Sequence, residues 1–252
     1  MLKSTGLART TVSCGFRAAG IRTLSHSRSF SPVSQSKLLH QGCFGFLYMY
    51  IPDHFAIKST DEAYRIIEAH PLGILVTSAE EGLDANHLPF ELDAERGVLT
   101  AHVARANPVW KTRGEGIDAL VIFRGGESYI SPNWYPSKHE LHRQVPTWNY
   151  QVVHVHGRLV AQDQEKFVRG VVARLTRTHE ATEPKPWKMG DSSTEYIDEM
   201  LKAIVGIEIQ IERLEGKAKL SQNREARDRL NAAEKLISKG STELGNAMLK
   251  KA

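Results

Sequence analysis

The sequence IVGIEIQIERLEG, residues 204–216, carries the clearest secondary-structure signal in the chain. Apolar and polar side chains alternate along most of it, which places the apolar ones on a single face of a β-strand. A second stretch, NYQVVHVHGRLVA at residues 149–161, is rich in β-branched residues and alternates in the same way. These two long strands predict a fold dominated by β-sheet.

Shorter runs extend this prediction to the rest of the chain. Further strands are indicated at GILVTS (73–78), ANHLPFEL (85–92), GVLTAHVA (97–104) and DALVIFRG (118–125). Helices are indicated after an N-terminal cap at Ser59 and by an apolar stripe in residues 164–180. Because the strands follow one another through short links, we expect a mainly β fold: an antiparallel barrel or sheet with peripheral helices packed outside it. The chain has no GxGxxG after a strand and no GxxxxGK[ST], so a doubly wound nucleotide-binding sheet is not indicated.

The chain divides into three predicted parts: an extension at residues 1–48, a domain at 49–223, and a polar helical tail at 224–252 whose end is expected to fray. The extension is rich in Ser, Arg and Gly and has no acidic residue, which is typical of a mitochondrial transit peptide. A non-functional tail or a start-site artefact is the alternative, because MYIPDHF at Met49 reads like a natural start. We expect a cytoplasmic protein, or a nuclear or mitochondrial one if the extension is genuine.

Charge and cysteine content exclude several classes of function. Six of the 33 basic residues and none of the 29 acidic ones lie in residues 1–52, so the remainder carries 27 basic against 29 acidic side chains. That balance does not favour direct DNA binding, although a basic face on the tail leaves DNA as a partner to consider. Cys14 and Cys43 are the only cysteines, so the body has no disulfide and no Cys-based site. No apolar run is long enough to span a membrane.

Three segments carry candidate binding chemistry. In HVARANP (102–108), Arg105 can grip a phosphate and the helix start at Pro108 adds backbone N–H donors; a solvated strand-end charge is the alternative. KAKLSQNR (217–224) offers several donors in a short space, or forms a plain polar turn. The stretch at 129–150, called here the aromatic segment, holds five aromatic residues and three prolines in 22 residues. It suits stacking on a planar ligand, or a small core beneath a loop.

The histidines do not predict a metal site. His154 and His156 stand two apart on one strand and therefore share a face, but no further ligand at a recognisable spacing accompanies them. We read them as polar strand positions and expect no metal. A Ser–His–Asp hydrolase is likewise unsupported, since there is no GxSxG motif.

Nine short motifs, in chain order, resemble those of the PaiB family of FMN-binding negative transcriptional regulators. They are MYIPDHF, ANHLPF, HVARANPVW, YISPNWYPSK, VPTWNY, HGRL, LTRTHE, IVGIEI and KAKLSQNR. The resemblance covers residues 49–238 and implies an FMN-binding split β-barrel of the pyridoxamine-phosphate-oxidase and flavin-reductase kind. It also implies a homodimer with FMN at the subunit interface. Residues 1–48 have no counterpart, and the charged link at 138–144 departs from the pattern.

The resemblance also implies which residues contact FMN. The expected contacts are His102, Ala104, Arg105, Asn107, Lys111, Trp134, Thr147, Trp148, Lys219, Gln222 and Asn223. Arg105 is the expected phosphate ligand. The implied function is a negative transcriptional regulator; the alternative is an FMN-dependent oxidoreductase acting on a small molecule, and a third option is haem binding or degradation. The sequence names no catalytic residue.

Overall fold

The computed structural model describes residues 49–79, 82–111 and 116–250. The predicted extension at residues 1–48 lies outside these ranges. The strands are β1 (Ala56–Ile57), β2 (Leu72–Ala79), β3 (Gly82–Pro89), β4 (Glu91–Asp93), β5 (Val98–Ala104), β6 (Ile117–Ile130), β7 (Thr147–Gln162) and β8 (Ile204–Lys219). The helices are α1 (Thr60–Ala69), α2 (Pro136–Leu141), α3 (Glu165–Glu180), α4 (Thr194–Lys202), α5 (Ala226–Ser238) and α6 (Thr242–Lys250). None of the described helices is long and apolar enough to cross a membrane.

The strands form one antiparallel sheet that closes through a bent strand. Its order is β3-β2-β6-β7-β8-β5-β4, with β1 added beside β8. Phe90 alone separates β3, which pairs with β2, from β4, which pairs with β5. The two ends of the sheet are therefore consecutive pieces of chain, and the turn at Phe90 brings them together. This is the split β-barrel that the family resemblance implied, and it agrees with the antiparallel arrangement expected from the short links between strands.

The barrel core is built from the alternating apolar residues of the long strands. Leu99, Val121, Val153, Val155 and Ile207 are fully buried together with their neighbours on the same faces. Removing such side chains from water contributes roughly 25 cal/mol per Å² of apolar surface, which makes this alternation the main determinant of the barrel.

A β-bulge in β8 reverses which of its residues point inward. His156 pairs with Arg213, but the next residue, Gly157, pairs with Ile211, so one extra residue is inserted in β8. Before the bulge the buried positions are odd-numbered, as at Ile209; after it they are even-numbered, as at Ala218. The bulge thereby turns the odd-numbered residues from 213 to 219 to the outer face of the sheet.

The outer helices follow the predicted pattern, with one difference at the C-terminus. Ser59 caps α1 by accepting a hydrogen bond from the backbone N–H of Glu62 at 3.4 Å, as expected. The tail helices α5 and α6 each bury one face, while residues 251–252, at the end that was expected to fray, lie outside the described residues. Ala233 and Leu244 from these helices join Ile130, Tyr135 and Leu220 in a second hydrophobic core. The tail therefore packs against the aromatic segment.

Element boundaries differ from the sequence predictions at strand ends. The predicted strand at 118–125 continues through Gly125 and Gly126 to Ile130, with a register shift between Arg124 and Glu127. The predicted strand at 85–92 is divided at Phe90. The first difference arises because a bulge lets β6 continue past the two glycines. The second arises because the chain changes its pairing partner at Phe90, from β2 to β5.

Candidate functional site

Arg105 lies just after β5 and is held by several neighbours. Its two Nη atoms donate to the carboxylate of Asp163 at 2.8 and 2.6 Å. Its Nε donates to the carbonyl of Lys202 at 2.7 Å, and Nη2 also donates to the carbonyl of Ile204 at 3.1 Å. The ion pair raises the pKa of Arg105 and lowers that of Asp163. Since a guanidinium has five N–H donors, little capacity is left for a phosphate.

Asn107 supports the same segment and faces a cleft. Its side-chain oxygen accepts from the backbone N–H of Val109 at 2.9 Å, and its amide donates to Asn86 Oδ1 at 2.7 Å. An open cleft of about 650 Å³ lies beside this amide pair. The lining residues are Ala79, Gly82, Leu83, Asp84, Asn86, Ala106, Asn107 and Pro108. The cleft offers amide groups to a ligand, and its lining among the described residues contains no lysine or arginine.

His102 is the titratable group of this segment. It lies on β5 opposite Gly206, and its Nδ1 is buried with no hydrogen-bond partner among the described residues. Burial lowers the pKa of the imidazole, so the neutral form prevails near neutral pH. Ala104 pairs with Ile204 at the end of the strand, and Lys111 is exposed. The imidazole of His102 is thus neutral, and its Nδ1 has no hydrogen-bond partner among the described residues.

The aromatic segment exposes two rings at the opposite end of the barrel. Tyr129 and Trp148 are register partners on β6 and β7, with ring centroids 6.2 Å apart and ring planes at 76°. Their side chains are 45% and 56% exposed, which is unusual for rings of this size. Each ring exposes an apolar face, and because the two planes are nearly perpendicular, one ring can stack on a planar ligand while the other meets its edge.

The remaining aromatic residues of the segment are structural in this arrangement. Tyr135 is fully buried in the second core, and its hydroxyl lies 3.1 Å from Ser221 Oγ. Trp134 is half-buried; its carbonyl accepts from Asn231 at 2.6 Å, and the Lys239 ammonium lies 5.5 Å from its ring centroid. The alternative of a small core beneath a loop therefore describes these two residues, while Tyr129 and Trp148 remain available to a ligand.

Lys219 joins the aromatic segment to KAKLSQNR. Its ammonium donates to Thr147 Oγ1 and to the Trp148 carbonyl. Burial, followed by repulsion from Lys217 and Arg224, lowers its pKa. None of these three cations has a carboxylate partner within the described residues. Such a cluster is unfavourable by itself and favours a bound anion.

The other predicted residues of KAKLSQNR have different roles. Gln222 folds back on its own loop, accepting from the backbone N–H of Leu220 at 2.7 Å and donating to the Ala218 carbonyl at 2.6 Å. Asn223 is exposed. Ser221 adopts a left-handed conformation with φ of 64°, held by the hydroxyl contact to Tyr135 and by Asn149. The loop is therefore fixed in shape behind Lys219.

The structure divides the predicted contacts into two groups. Ala104 pairs with Ile204 at the start of β8, whereas Tyr150 pairs with Lys219 at its end. Fifteen residue steps of a strand correspond to about 50 Å of contour, at roughly 3.3 Å per residue. One group, called here the HVARANP group, contains His102, Ala104, Arg105, Asn107 and Lys111. The other, the Lys219 group, contains Thr147, Trp148, Lys219, Gln222 and Asn223. The two groups therefore belong to opposite ends of one strand.

The two groups together have the chemistry that an FMN requires. Lys217, Lys219 and Arg224, which have no carboxylate partner among the described residues, suit a phosphate, and the exposed rings of Tyr129 and Trp148 suit the isoalloxazine. The buried, unpartnered Nδ1 of His102 and the amides at the cleft can bind polar ring or ribityl atoms. The described residues of these two groups are therefore chemically suited to bind FMN.

Sequence reasoning missed several residues of this arrangement. Asp163, whose carboxylate accepts two hydrogen bonds from Arg105, lies between a strand and a helix and belongs to none of the sequence motifs. Asn86 and Arg224 reach the site only through strand pairing and loop shape. Their roles depend on contacts between segments far apart in the chain, which one sequence does not encode locally.

Comparisons with known proteins agree with this chemistry. Residues 49–213 match the family model described as "Putative FMN-binding domain". Protease synthase and sporulation protein PAI 2 of Bacillus subtilis is 33% identical over 190 residues, which cover 75% of this chain and 89% of that protein. The uncharacterised protein YKL070W of Saccharomyces cerevisiae is 32% identical over 160 residues, covering 54% and 94% respectively.

Among solved structures, the conserved hypothetical protein Rv2991 from Mycobacterium tuberculosis superposes with a TM-score of 0.50. The superposition covers 70% of this chain and 94% of that chain at 11% identity. At this identity the likeness concerns the fold.

Proposed function

Because this chain belongs to the PaiB family of FMN-binding proteins and FMN is its cofactor, we propose that it is a homodimeric, FMN-dependent negative transcriptional regulator. The observation that carries the proposal is the placement of the two groups at opposite ends of β8. An FMN is much shorter than this strand. A two-fold dimer brings the HVARANP group of one subunit to the Lys219 group of the other.

In such a dimer each group has a distinct task. Lys217, Lys219 and Arg224 neutralise the phosphate, and Trp148 with Tyr129 covers one face of the isoalloxazine. Asn107 and Asn86 bind polar atoms from the cleft. FMN, when bound, supplies a redox-active ring whose state a regulator can sense. The protein residues orient the ring and limit its contact with water.

The regulatory role is supported by the name of the Bacillus relative, "Protease synthase and sporulation protein PAI 2", which connects that protein with sporulation. The near-neutral body argues that any DNA contact comes from a local basic surface rather than from overall charge. Two lysines and an arginine free of carboxylate partners already occupy one such surface, but they are the proposed phosphate ligands. We therefore propose regulation through a partner protein, with FMN completing the dimer.

An FMN-dependent oxidoreductase is the second candidate. The open cleft of about 650 Å³ beside Asn86 and Asn107 favours it, because it leaves space for a small molecule next to the cofactor. The neutral imidazole of His102 lies in the adjacent segment and can accept or donate a proton.

The test begins with tag-free protein. We expect flavin absorbance equal to one FMN per subunit and a dimer by sedimentation. A colourless protein that takes up no added FMN contradicts the proposal. Anaerobic addition of NADH or NADPH then separates the two candidates: multiple turnovers favour the oxidoreductase, whereas no turnover together with FMN-dependent repression of a reporter gene favours the regulator.

A further inference from the structure

Three ligating side chains meet on the outer face of the barrel, away from the exposed rings and from the cleft. His154 and His156 lie on β7 and point to the same face. Glu215, on β8, is the register partner of His154. The bulge in β8 is what places Glu215 there, because it moves the odd-numbered residues of that strand to the outer face.

The geometry of this cluster approaches that of a metal site. One ligand atom from each side chain can be chosen so that all three lie within 4.8 Å of one another. His156 Nε2 lies 3.3 Å from Glu215 Oε2, and the two imidazole centroids are 6.4 Å apart. In tetrahedral zinc coordination with bonds of about 2.0–2.1 Å, neighbouring ligand atoms lie about 3.4 Å apart. Small rotations of the two imidazoles remove the difference.

The surroundings of Glu215 resemble the supporting contacts of a metal ligand. The carboxylate is buried, and the Met49 backbone N–H lies 3.3 Å from each of its oxygens. Both histidines are half-buried, which leaves one side of the cluster open to water. Two imidazoles and one carboxylate with an open position suit Zn²⁺, Ni²⁺ or Cu²⁺ better than Mg²⁺ or Ca²⁺, which prefer oxygen ligands.

We propose that His154, His156 and Glu215 form a binding site for a divalent transition metal such as Zn²⁺, with water as the fourth ligand. None of these three side chains is among the residues proposed to bind FMN, so the metal would be a second ligand of the protein. It contradicts the expectation from the sequence that the histidine pair has no further ligand, because the third ligand comes from another strand 59 residues away.

Arg213 sets the affinity of the site. Its Nη1 is hydrogen-bonded to Glu215 Oε1, and it is the register partner of His156. A bound cation must compete with this guanidinium for the carboxylate. Removing the charge at position 213 should therefore strengthen metal binding, whereas a histidine pair that only fills polar strand positions would show no such gain.

The experiment uses tag-free full-length protein titrated with Zn²⁺ by calorimetry, with Co²⁺ as a spectroscopic probe. We expect one Zn²⁺ per subunit and Co²⁺ absorption bands typical of four-coordination. His154→Ala, His156→Ala and Glu215→Gln should each weaken binding at least about tenfold, in line with the loss of a direct ligand. Arg213→Gln should tighten it several-fold.

The matched control removes the same number of histidines elsewhere. His87 and His179 are exposed on other elements, so the His87→Ala/His179→Ala protein should bind Zn²⁺ like the wild type. FMN content, measured on every variant, reports whether the barrel is intact. Stoichiometric Zn²⁺ binding that survives the His154→Ala/His156→Ala double change, or no binding to the wild type, overturns the proposal.

Discussion

Arg105 and Asp163 form a two-point ion pair that ties the end of β5 to the start of α3. The arginine expected to bind the FMN phosphate is thus already neutralised within its own subunit. At the other end of β8, Lys217, Lys219 and Arg224 form a cluster with no carboxylate partner within the described residues. We therefore propose this cluster, in place of Arg105, as the phosphate site.

The Arg105 pair leads to a first prediction. Arg105→Ala should weaken FMN binding at least about tenfold, because it frees the HVARANP segment and removes charge-assisted hydrogen bonds worth roughly 1.5–3 kcal/mol each. Asp163→Asn keeps the shape and should change FMN affinity less than about threefold. Fluorescence titration of FMN-free protein measures both. Equal losses in the two variants would mean that the ion pair itself, rather than the arginine, supports the site.

Subunit exchange provides a second prediction. Asn107→Ala and Lys219→Met should each abolish most FMN binding as homodimers. A mixed dimer with Asn107→Ala in one subunit and Lys219→Met in the other should bind one FMN. One of its two FMN sites then has both groups intact, and the other has both altered. FMN released from doubly tagged, tandem-purified dimers measures the recovery.

The reciprocal control for this exchange pairs wild-type subunits with subunits carrying both changes. If the site is shared between subunits, these dimers bind no FMN. One FMN per dimer in this control, and none in the first mixture, would place the whole site within one subunit.

A third prediction concerns Trp148. Its ring is mostly exposed, so Trp148→Leu should change the free energy of unfolding by no more than about 0.5 kcal/mol. Loss of stacking should nonetheless weaken FMN binding and raise the fluorescence of the bound flavin several-fold. Trp187→Leu, at another exposed tryptophan, is the matched control and should change neither quantity. Unaltered flavin fluorescence in Trp148→Leu would argue against stacking.

The buried carboxylate of Asp228 gives a fourth prediction. It accepts from the Ser137 backbone N–H at 3.0 Å, from Ser137 Oγ at 2.5 Å and from Gln144 at 3.4 Å, and it thereby fixes α2 to α5. Asp228→Ala should cost about 3 kcal/mol in the free energy of unfolding, since buried donors lose their acceptor. Ser137→Ala keeps the backbone bond and should cost less. Urea denaturation at neutral pH compares them; equal midpoints for Asp228→Ala and wild type would contradict the assignment.

The pH dependence of stability gives a fifth prediction. Burial lowers the pKa of His102 below its ordinary value of 6.5. As the pH falls, the imidazole of the unfolded chain is therefore protonated at a higher pH than that of the folded protein. The contribution of His102 to the free energy of unfolding is fully present above pH 6.5. It decreases as the pH drops from 6.5 towards the lowered pKa of the folded state. His102→Gln should reduce this loss between pH 7.5 and 5.5 in urea titrations. A residual slope is expected from His154, whose pKa is also lowered by burial.

Much of the fold could be predicted from the sequence because alternation encodes which side of a strand is buried. The long strands at 149–161 and 204–216 were found in this way, and the antiparallel barrel followed from the short links between strands. The bulge in β8 could not be foreseen, since it depends on pairing with β7. The burial of α5 and α6 was missed because their apolar residues, such as Ala233 and Leu244, lie among many charged ones, and the surface they pack against comes from distant parts of the chain.

The candidate site was predicted only in part. Motif resemblance named Lys219, Thr147 and Trp148, which the structure brings into contact. It did not indicate that Arg105 is occupied by Asp163 or that Gln222 stabilises its own loop. Nor did it find Glu215 beside the histidine pair. In each case the deciding partner lies on a distant strand or loop.

The packing of α5 and α6 against Tyr135 and Leu220 has a consequence for biosynthesis. The surface formed by Trp148 and Lys219 is supported from behind by the last helices of the described chain. This support cannot form until these helices have left the ribosome. A product that stops after the KAKLSQNR segment would contain every barrel strand and still lack the support for this surface. We therefore expect flavin loading to require α5 and α6.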